Sequence, residues 1–161
     1  GVAFFCPYQG IIPDKAILSV VERLYNKGIR RLYLAASTGM ENPLQINRVF
    51  TAVRFGWPDI EIGFHMHERT GIASANMFAA LDAGATSVEG SICGIGGGIV
   101  MPGGMGDIGN LPTEDIVNML NRSGVNTGLE TELVLAAAQE IQGILDIPVR
   151  SYIARNKDIG I

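Results

Sequence analysis

Four times along the chain a short apolar run is followed by an amphipathic stretch, the pattern of βα units built on a parallel sheet. The first unit runs from Val2-Ala3-Phe4-Phe5 through a Cys-Pro-Tyr-Gln-Gly turn into a helix with Ile17, Val20, Val21 and Leu24 on one stripe. Pro13 and Asp14 suit the first turn of that helix, and Gly28 its stop. The second unit has a strand over Arg31 to Ala35 and a helix opening at Asn42-Pro43, with Ile46, Val49, Phe50 and Val53 as the core stripe. The third has a strand over Ile60 to His65 and a helix from about Ala73 to Ala83, closed by Gly84, with Met77, Phe78 and Leu81 expected in the core. The fourth has a strand over Thr86 to Ser91, a long glycine-rich loop, and a helix opening at Leu111-Pro112-Thr113-Glu114-Asp115. A further helix is predicted over Glu130 to Leu145, and the tail from Val149 is polar and basic without a clear period.

Four βα units admit two architectures: a small open doubly wound sheet, or half of a (β/α)8 barrel. A complete barrel takes ~250 residues, so on the barrel reading these 161 residues are an incomplete set of strands. The absence of an initiator Met fits a processed start or an internal piece.

Composition narrows the function classes. With 47% hydrophobic residues, 17% charged residues and a net charge of −4, the chain is expected to fold around a core. Twelve Lys and Arg without a concentrated stripe argue against nucleic acid as a partner. No apolar run approaches the ~18 residues of a membrane span, so no membrane role is expected. Two cysteines, Cys6 and Cys93, fit a reducing cytoplasm, and each reads as a small buried hydrophobe rather than a nucleophile.

Both histidines of the chain fall in Gly63-Phe64-His65-Met66-His67-Glu68, two residues apart. Alternate strand residues face the same side, so His65 and His67 can present both imidazoles to one point, as metal ligands do. The competing reading is a pair of solvated or hydrogen-bonded histidines at a strand end. Placement at the C-terminal end of a parallel strand favours a site. By donor chemistry alone, Zn, Mn or Fe precede Mg.

From Gly94 to Gly109, eight of sixteen positions are glycine. Gly94, Gly96, Gly97 and Gly98 open this loop, which lacks the spacing of a dinucleotide fingerprint or of a Walker loop. It is expected to be an active-site lid. Asn110, where the loop meets a helix, reads either as a helix cap or as a third metal ligand. Glu68, Arg69 and Glu89 are candidates for proton transfer or substrate binding.

These motifs in order resemble the 3-hydroxy-3-methylglutaryl-CoA lyases of the DRE-TIM metallolyase superfamily. The likeness extends from residue 1 to about 145 and is carried by Cys6-Pro7-Tyr8-Gln9-Gly10, Phe64-His65-Met66-His67, Gly71, Ala75-Asn76, Ala80-Leu81 and Gly84, and by Gly94-Ile95-Gly96-Gly97 and Gly109-Asn110-Leu111-Pro112-Thr113-Glu114-Asp115. The resemblance implies a partial (β/α)8 barrel carrying strands five to eight plus a C-terminal helix, with residues 1–161 as the C-terminal half of a lyase-like domain. It implies that His65, His67 and Asn110 hold a divalent Mg or Mn ion, with His65 also moving protons. It further implies a substrate that is an acyl-CoA or a hydroxy or oxo acid, cleaved at a carbon–carbon bond. The fourth ligand and an essential arginine of the superfamily belong to the first strand, outside the matched region. Two positions depart from the family pattern: Gly98 stands where the lyases carry a catalytic cysteine, and Ala36 where a strand-end carboxylate is found.

Two alternatives stand beside the lyase: a Claisen-condensing synthase of the isopropylmalate or citramalate type, and an inactive half-barrel kept for assembly. The basic residues Arg150, Arg155 and Lys157 are the candidates for acyl-CoA contact. The protein is expected in the cytoplasm, as a homo-oligomer or completed by the missing half of the barrel.

Overall fold

The computed structural model describes residues 2–96, 109–148 and 150–155. They form two compact units, one of residues 2–89 and one of residues 90–96, 109–148 and 150–155.

In the first unit the elements follow as β1 (Val2–Ala3), β2 (Phe5–Cys6), β3 (Gly10–Ile11), α1 (Asp14–Asn26), β4 (Arg31–Ala36), α2 (Pro43–Gly56), β5 (Glu61–Glu68), α3 (Ala73–Asp82) and β6 (Ser87–Glu89). The sheet runs β1-β4-β5-β6 with every pair parallel. Its register sets Leu34 beside Phe64, and His65 between Ala35 and Glu89. Leu32, Leu34 and Ala36 of β4 are buried, as are Ile62, Phe64 and Met66 of β5; Tyr33, Ala35 and His65, which alternate with them, are less so. This alternation divides a helix-packed face from the face that carries the histidines. On the packed face Phe64 meets Phe50 of α2 edge-on with ring centroids 5.3 Å apart, and Phe4 lies 6.3 Å from Phe64 and 6.5 Å from Phe50. All three rings are fully buried, each contributing roughly 1.5–3 kcal/mol by leaving water.

The α2 stripe of Ile46, Val49, Phe50 and Val53 is buried throughout, as its spacing predicts. Asn42 caps this helix, accepting from Gln45 N at 3.0 Å, with Pro43 pre-set for the first turn. Other expectations are corrected. The run of residues 2–5 is split: β1 joins the parallel sheet, while β2 turns into an antiparallel hairpin with β3, which leaves Cys6 only half-buried. Val20 and Phe78 are exposed, because the buried lines are Ile17 and Val21 in α1, and Ala73, Asn76, Met77 and Ala80 in α3. Each exposed residue lies outside the narrower line that faces the sheet. Leu81 is half-buried. The third strand extends to Glu68, placing both histidines inside it, and the fourth is shortened to three residues.

In the second unit a 3-10 turn (Ile92–Gly94) precedes β7 (Gly109–Asn110), α4 (Thr113–Arg122), α5 (Thr131–Leu145) and α6 (Tyr152–Arg155). The tail, read as aperiodic, forms α6 because buried Asp115 takes hold of it. Ser151 Oγ donates to Asp115 Oδ1 at 2.8 Å, and the amides of Tyr152 and Ile153 donate to its two oxygens at 3.0 Å each. A carboxylate at a helix start satisfies amides that have no partner within the helix. Among the described residues, no helix is long and apolar enough to cross a membrane.

Candidate metal centre

β5 brings the two imidazoles together. His65 Nε2 and His67 Nε2 lie 3.1 Å apart, with ring planes at 74°. That separation is close to that of neighbouring donors about one ion with bonds of ~2.1 Å. Behind His65, Nδ1 is 2.9 Å from Glu89 Oε1, at ion-pair distance although off the line of a good hydrogen bond. A carboxylate on that side favours the proton on Nδ1, leaving the Nε2 lone pair for a cation. With the proton of His65 on Nδ1, His67 Nε2–H is the donor to that lone pair, and among the described residues His67 Nδ1 is buried without a hydrogen-bond partner. Burial, and then the neighbouring His65, hold the His67 imidazole below its ordinary pKa. The neutral ring that results is the form a metal binds.

The loop between β4 and α2 is set close against β5. Gly39 has φ +64, and a β-carbon there would lie 2.8 Å from His67 O and 2.9 Å from Arg69 N. Thr70 Oγ1 donates to Gly39 O at 2.7 Å. Glu68 accepts from Gly71 N at 2.6 Å and so shapes the turn. Arg69 is exposed.

In the second unit Asn110 does not cap α4, whose start at Pro112 carries no side-chain cap. Its Nδ2 donates to Ile95 O at 2.7 Å and to Ser91 Oγ at 3.2 Å. Among the described residues its Oδ1 is buried with no hydrogen-bond partner, so that oxygen is left open to a further donor or cation. Gly94 and Gly96 both pack against Asn110, with β-carbons there 2.8 Å from Asn110 O and Asn110 Nδ2 respectively. Gly97 and Gly98 lie outside the described residues.

Cys93 is buried at φ +57, donates its amide to Glu114 Oε2 at 3.1 Å and its thiol to Ala138 O at 3.1 Å. Burial, and then the nearby Glu114, push its thiol pKa up, the reverse of an activated nucleophile. Sequence reasoning read Glu114 and Asp115 only as helix-opening residues and passed over Glu41. Glu41 and Glu114 are fully buried carboxyls whose pKa values burial raises. Glu41 accepts from Thr38 Oγ1 at 3.1 Å. The short runs Gly39-Met40-Glu41-Asn42-Pro43 and Thr113-Glu114-Asp115 carry no periodic signal that marks their carboxyls as buried.

Among the described residues, no group of three or more His, Cys, Asp or Glu is arranged to hold a metal ion. An open cavity lined by Arg31, Tyr33, Glu61, Thr86 and Ser87 lies toward the N-terminal ends of the strands, away from the histidines. In parallel barrels chemistry sits at the C-terminal ends.

The HMGL-like family profile matches residues 1–141 of this chain. The chain belongs to the HMGL-like family. Over 148 residues it is 36% identical to the hydroxymethylglutaryl-CoA lyase YngG of Bacillus subtilis, covering 92% of this chain and 48% of that protein. It is 29% identical over 155 residues to an (R)-citramalyl-CoA lyase of Chloroflexus aurantiacus, covering 96% of this chain and 48% of that one. A solved structure of an HMG-CoA lyase from Acinetobacter baumannii, in complex with coenzyme A and 3-methylmalate, matches with a TM-score of 0.87 and 31% identity, covering 99% of this chain and 53% of that chain. This HMGL-like chain thus has an α/β fold shared with TIM-barrel lyases and spans about half the length of the curated relatives it matches. These relatives are carbon–carbon lyases.

Proposed function

We propose that these residues are the C-terminal half of a divalent-metal-dependent carbon–carbon lyase, carrying strands five to eight of its barrel and its histidine ligands. The observation that carries this reading is the convergence of His65 Nε2 and His67 Nε2 to 3.1 Å on β5, with Glu89 behind His65. His65 and His67 hold the ion through Nε2, and Asn110 offers its unpartnered Oδ1. The resemblance favours Mg or Mn, while imidazole donors also accommodate Zn. When bound, such an ion acts as a Lewis acid that lowers the pKa of a substrate hydroxyl and steadies the charge that develops on cleavage.

The residues of this chain supply the rest. His65, with Glu89 at its Nδ1, holds a proton at that atom and is the catalytic residue of this half. Buried His67 stays neutral, so protons do not displace the ion at neutral pH. The substrate class is a 3-hydroxyacyl-CoA or related hydroxy acid, cleaved between the hydroxyl-bearing carbon and its neighbour; the acyl-CoA lyases among the relatives support it. The remaining ligand and the arginine come from the other half of the barrel, within one protein or from an associated copy. We place the reaction in the cytoplasm.

Metal analysis and paired assays test the proposal. The purified protein should retain a divalent ion, and His65→Ala should release it. It should also cleave a hydroxyacyl-CoA in preference to condensing acetyl-CoA with 2-oxo acids. No bound ion, with no effect of His65→Ala on binding, overturns the enzyme reading. That result leaves the assembly module, which the buried Ala36 at the end of β4 favours.

A further inference from the structure

We infer that Ser91 is a positioning residue that turns the amide of Asn110 so that its oxygen, and not its nitrogen, is left for a metal; this rests on the proposed role of Asn110 as a ligand. The argument begins with Ile95. Its carbonyl can only accept, so the Asn110 side-chain atom 2.7 Å away is the nitrogen, not the oxygen. The second hydrogen of that nitrogen goes to Ser91 Oγ at 3.2 Å. Ser91 in turn donates its own hydroxyl proton to Ile95 O, so one carbonyl receives both side chains. Each donor in this triangle has an acceptor, and the one atom of the amide left over is Oδ1, buried and unpartnered. A flipped amide would set Oδ1 against the Ile95 carbonyl and lose two hydrogen bonds.

The backbone holds the triangle in place. The chain reverses through the 3-10 turn Ile92–Gly94, with Cys93 at φ +57, which brings the Ile95 carbonyl back toward Ser91. Gly94 N donates to Ser91 O at 2.9 Å, and Ser91 N donates to Leu111 O at 3.2 Å. The turn and the strand that carries Asn110 are thereby tied at Ser91. Glu114 Oε2, accepting from Cys93 N at 3.1 Å, fixes the turn from beneath. Ser91 belongs to none of the candidate ligands, and its part is to select between two orientations of one that does.

The experiment is Mn2+ titration of the full protein followed by electron paramagnetic resonance, which reads binding without turnover. Outer-shell partners of metal ligands are typically worth ~10–100-fold in affinity. Ser91→Ala should weaken Mn2+ binding by about tenfold while leaving the unfolding midpoint of the metal-free protein within a few degrees of wild type. Ser91→Thr, which keeps the hydroxyl, should bind as wild type does, and Ser91→Val, of the same shape without it, should bind as Ser91→Ala does. Equal affinity in Ser91→Thr and Ser91→Val overturns the inference, and this comparison decides the matter even if Ser91→Ala fails to fold. Asn110→Ala and His65→Ala are run alongside. If these weaken binding while the Ser91 variants do not, the inference fails alone; if Asn110→Ala leaves binding unchanged, the ligand assignment fails and takes the inference with it.

Discussion

His65 and His67 bring their Nε2 atoms within 3.1 Å of each other from adjacent same-face positions of one strand. In water such a pair would be separated by solvent, and here the backbone of β5 holds it together. If both nitrogens serve one cation, removing either should cost more than the loss of an outer-shell partner. We expect His65→Ala and His67→Ala each to weaken Mn2+ or Mg2+ binding by more than about a hundredfold. Isothermal titration of the two variants checks this, and near-wild-type affinity in either would leave that histidine outside the site.

The buried carboxyls predict an unusual pH dependence of stability. Burial is the largest influence on Glu41 and on Glu114, and it raises both pKa values above those of the unfolded chain. Between the unfolded and folded values the native state binds more protons than the unfolded state, so stability falls as pH rises through that window. The contribution is present in full below the ordinary carboxylate range and is lost above the raised values. Glu41→Gln with Glu114→Gln should flatten this decline, making the double variant relatively more stable at pH 8 than at pH 5. Denaturant unfolding across that range measures it, and parallel curves for the two proteins would contradict it.

Asp115 joins residues 151–153 to α4 through three hydrogen bonds. Asp115→Ala should cost about 1–3 kcal/mol, the range for leaving buried polar groups without their partner. The loss should be local first, with hydrogen exchange faster at residues 151–155 than in the β4–β5 core. Unchanged exchange at Tyr152 and Ile153 would show that the tail is held by something else.

Gly39→Ala probes the approach of the β4–α2 loop to β5. The residue sits at φ +64, and an added β-carbon would meet His67 O at 2.8 Å. Strain at such a position is of order 1–3 kcal/mol, and the displacement would fall on the strand end that carries His67. The expected result is a lower unfolding midpoint together with weaker Mn2+ binding. Unaltered values for both would place the loop farther from the strand than described.

Much of the first unit was legible from spacing because its helices and strands have one buried side each. The α2 stripe is the clearest case, with four residues at helical intervals all buried and a capping Asn-Pro ahead of them. The histidine pair was legible for a related reason, since strand periodicity of two brings residues 65 and 67 to one face. Where local pattern failed, a distant partner had decided the outcome. Residues 2–5 look like one strand, yet β2 pairs with β3 across a turn, which a propensity argument cannot see. Phe78 is as apolar as Met77 but lies beyond the line of α3 that meets the sheet. Asn110 offers a cap as the plainer reading and a ligand as the other, and only the positions of Ser91 and Ile95 show that its nitrogen is engaged away from the helix start. The tail gave no periodicity because its helix is specified by Asp115, over thirty residues earlier.

That last grip has a consequence for how the chain can vary. Two of the three groups Asp115 holds are backbone amides, at Tyr152 and Ile153, which every amino acid but proline possesses. Positions 152 and 153 are therefore held with little regard to side chain and are free to drift, whereas buried Ser151, which donates through its hydroxyl, is not. Proline at either position is the substitution that this attachment does not tolerate.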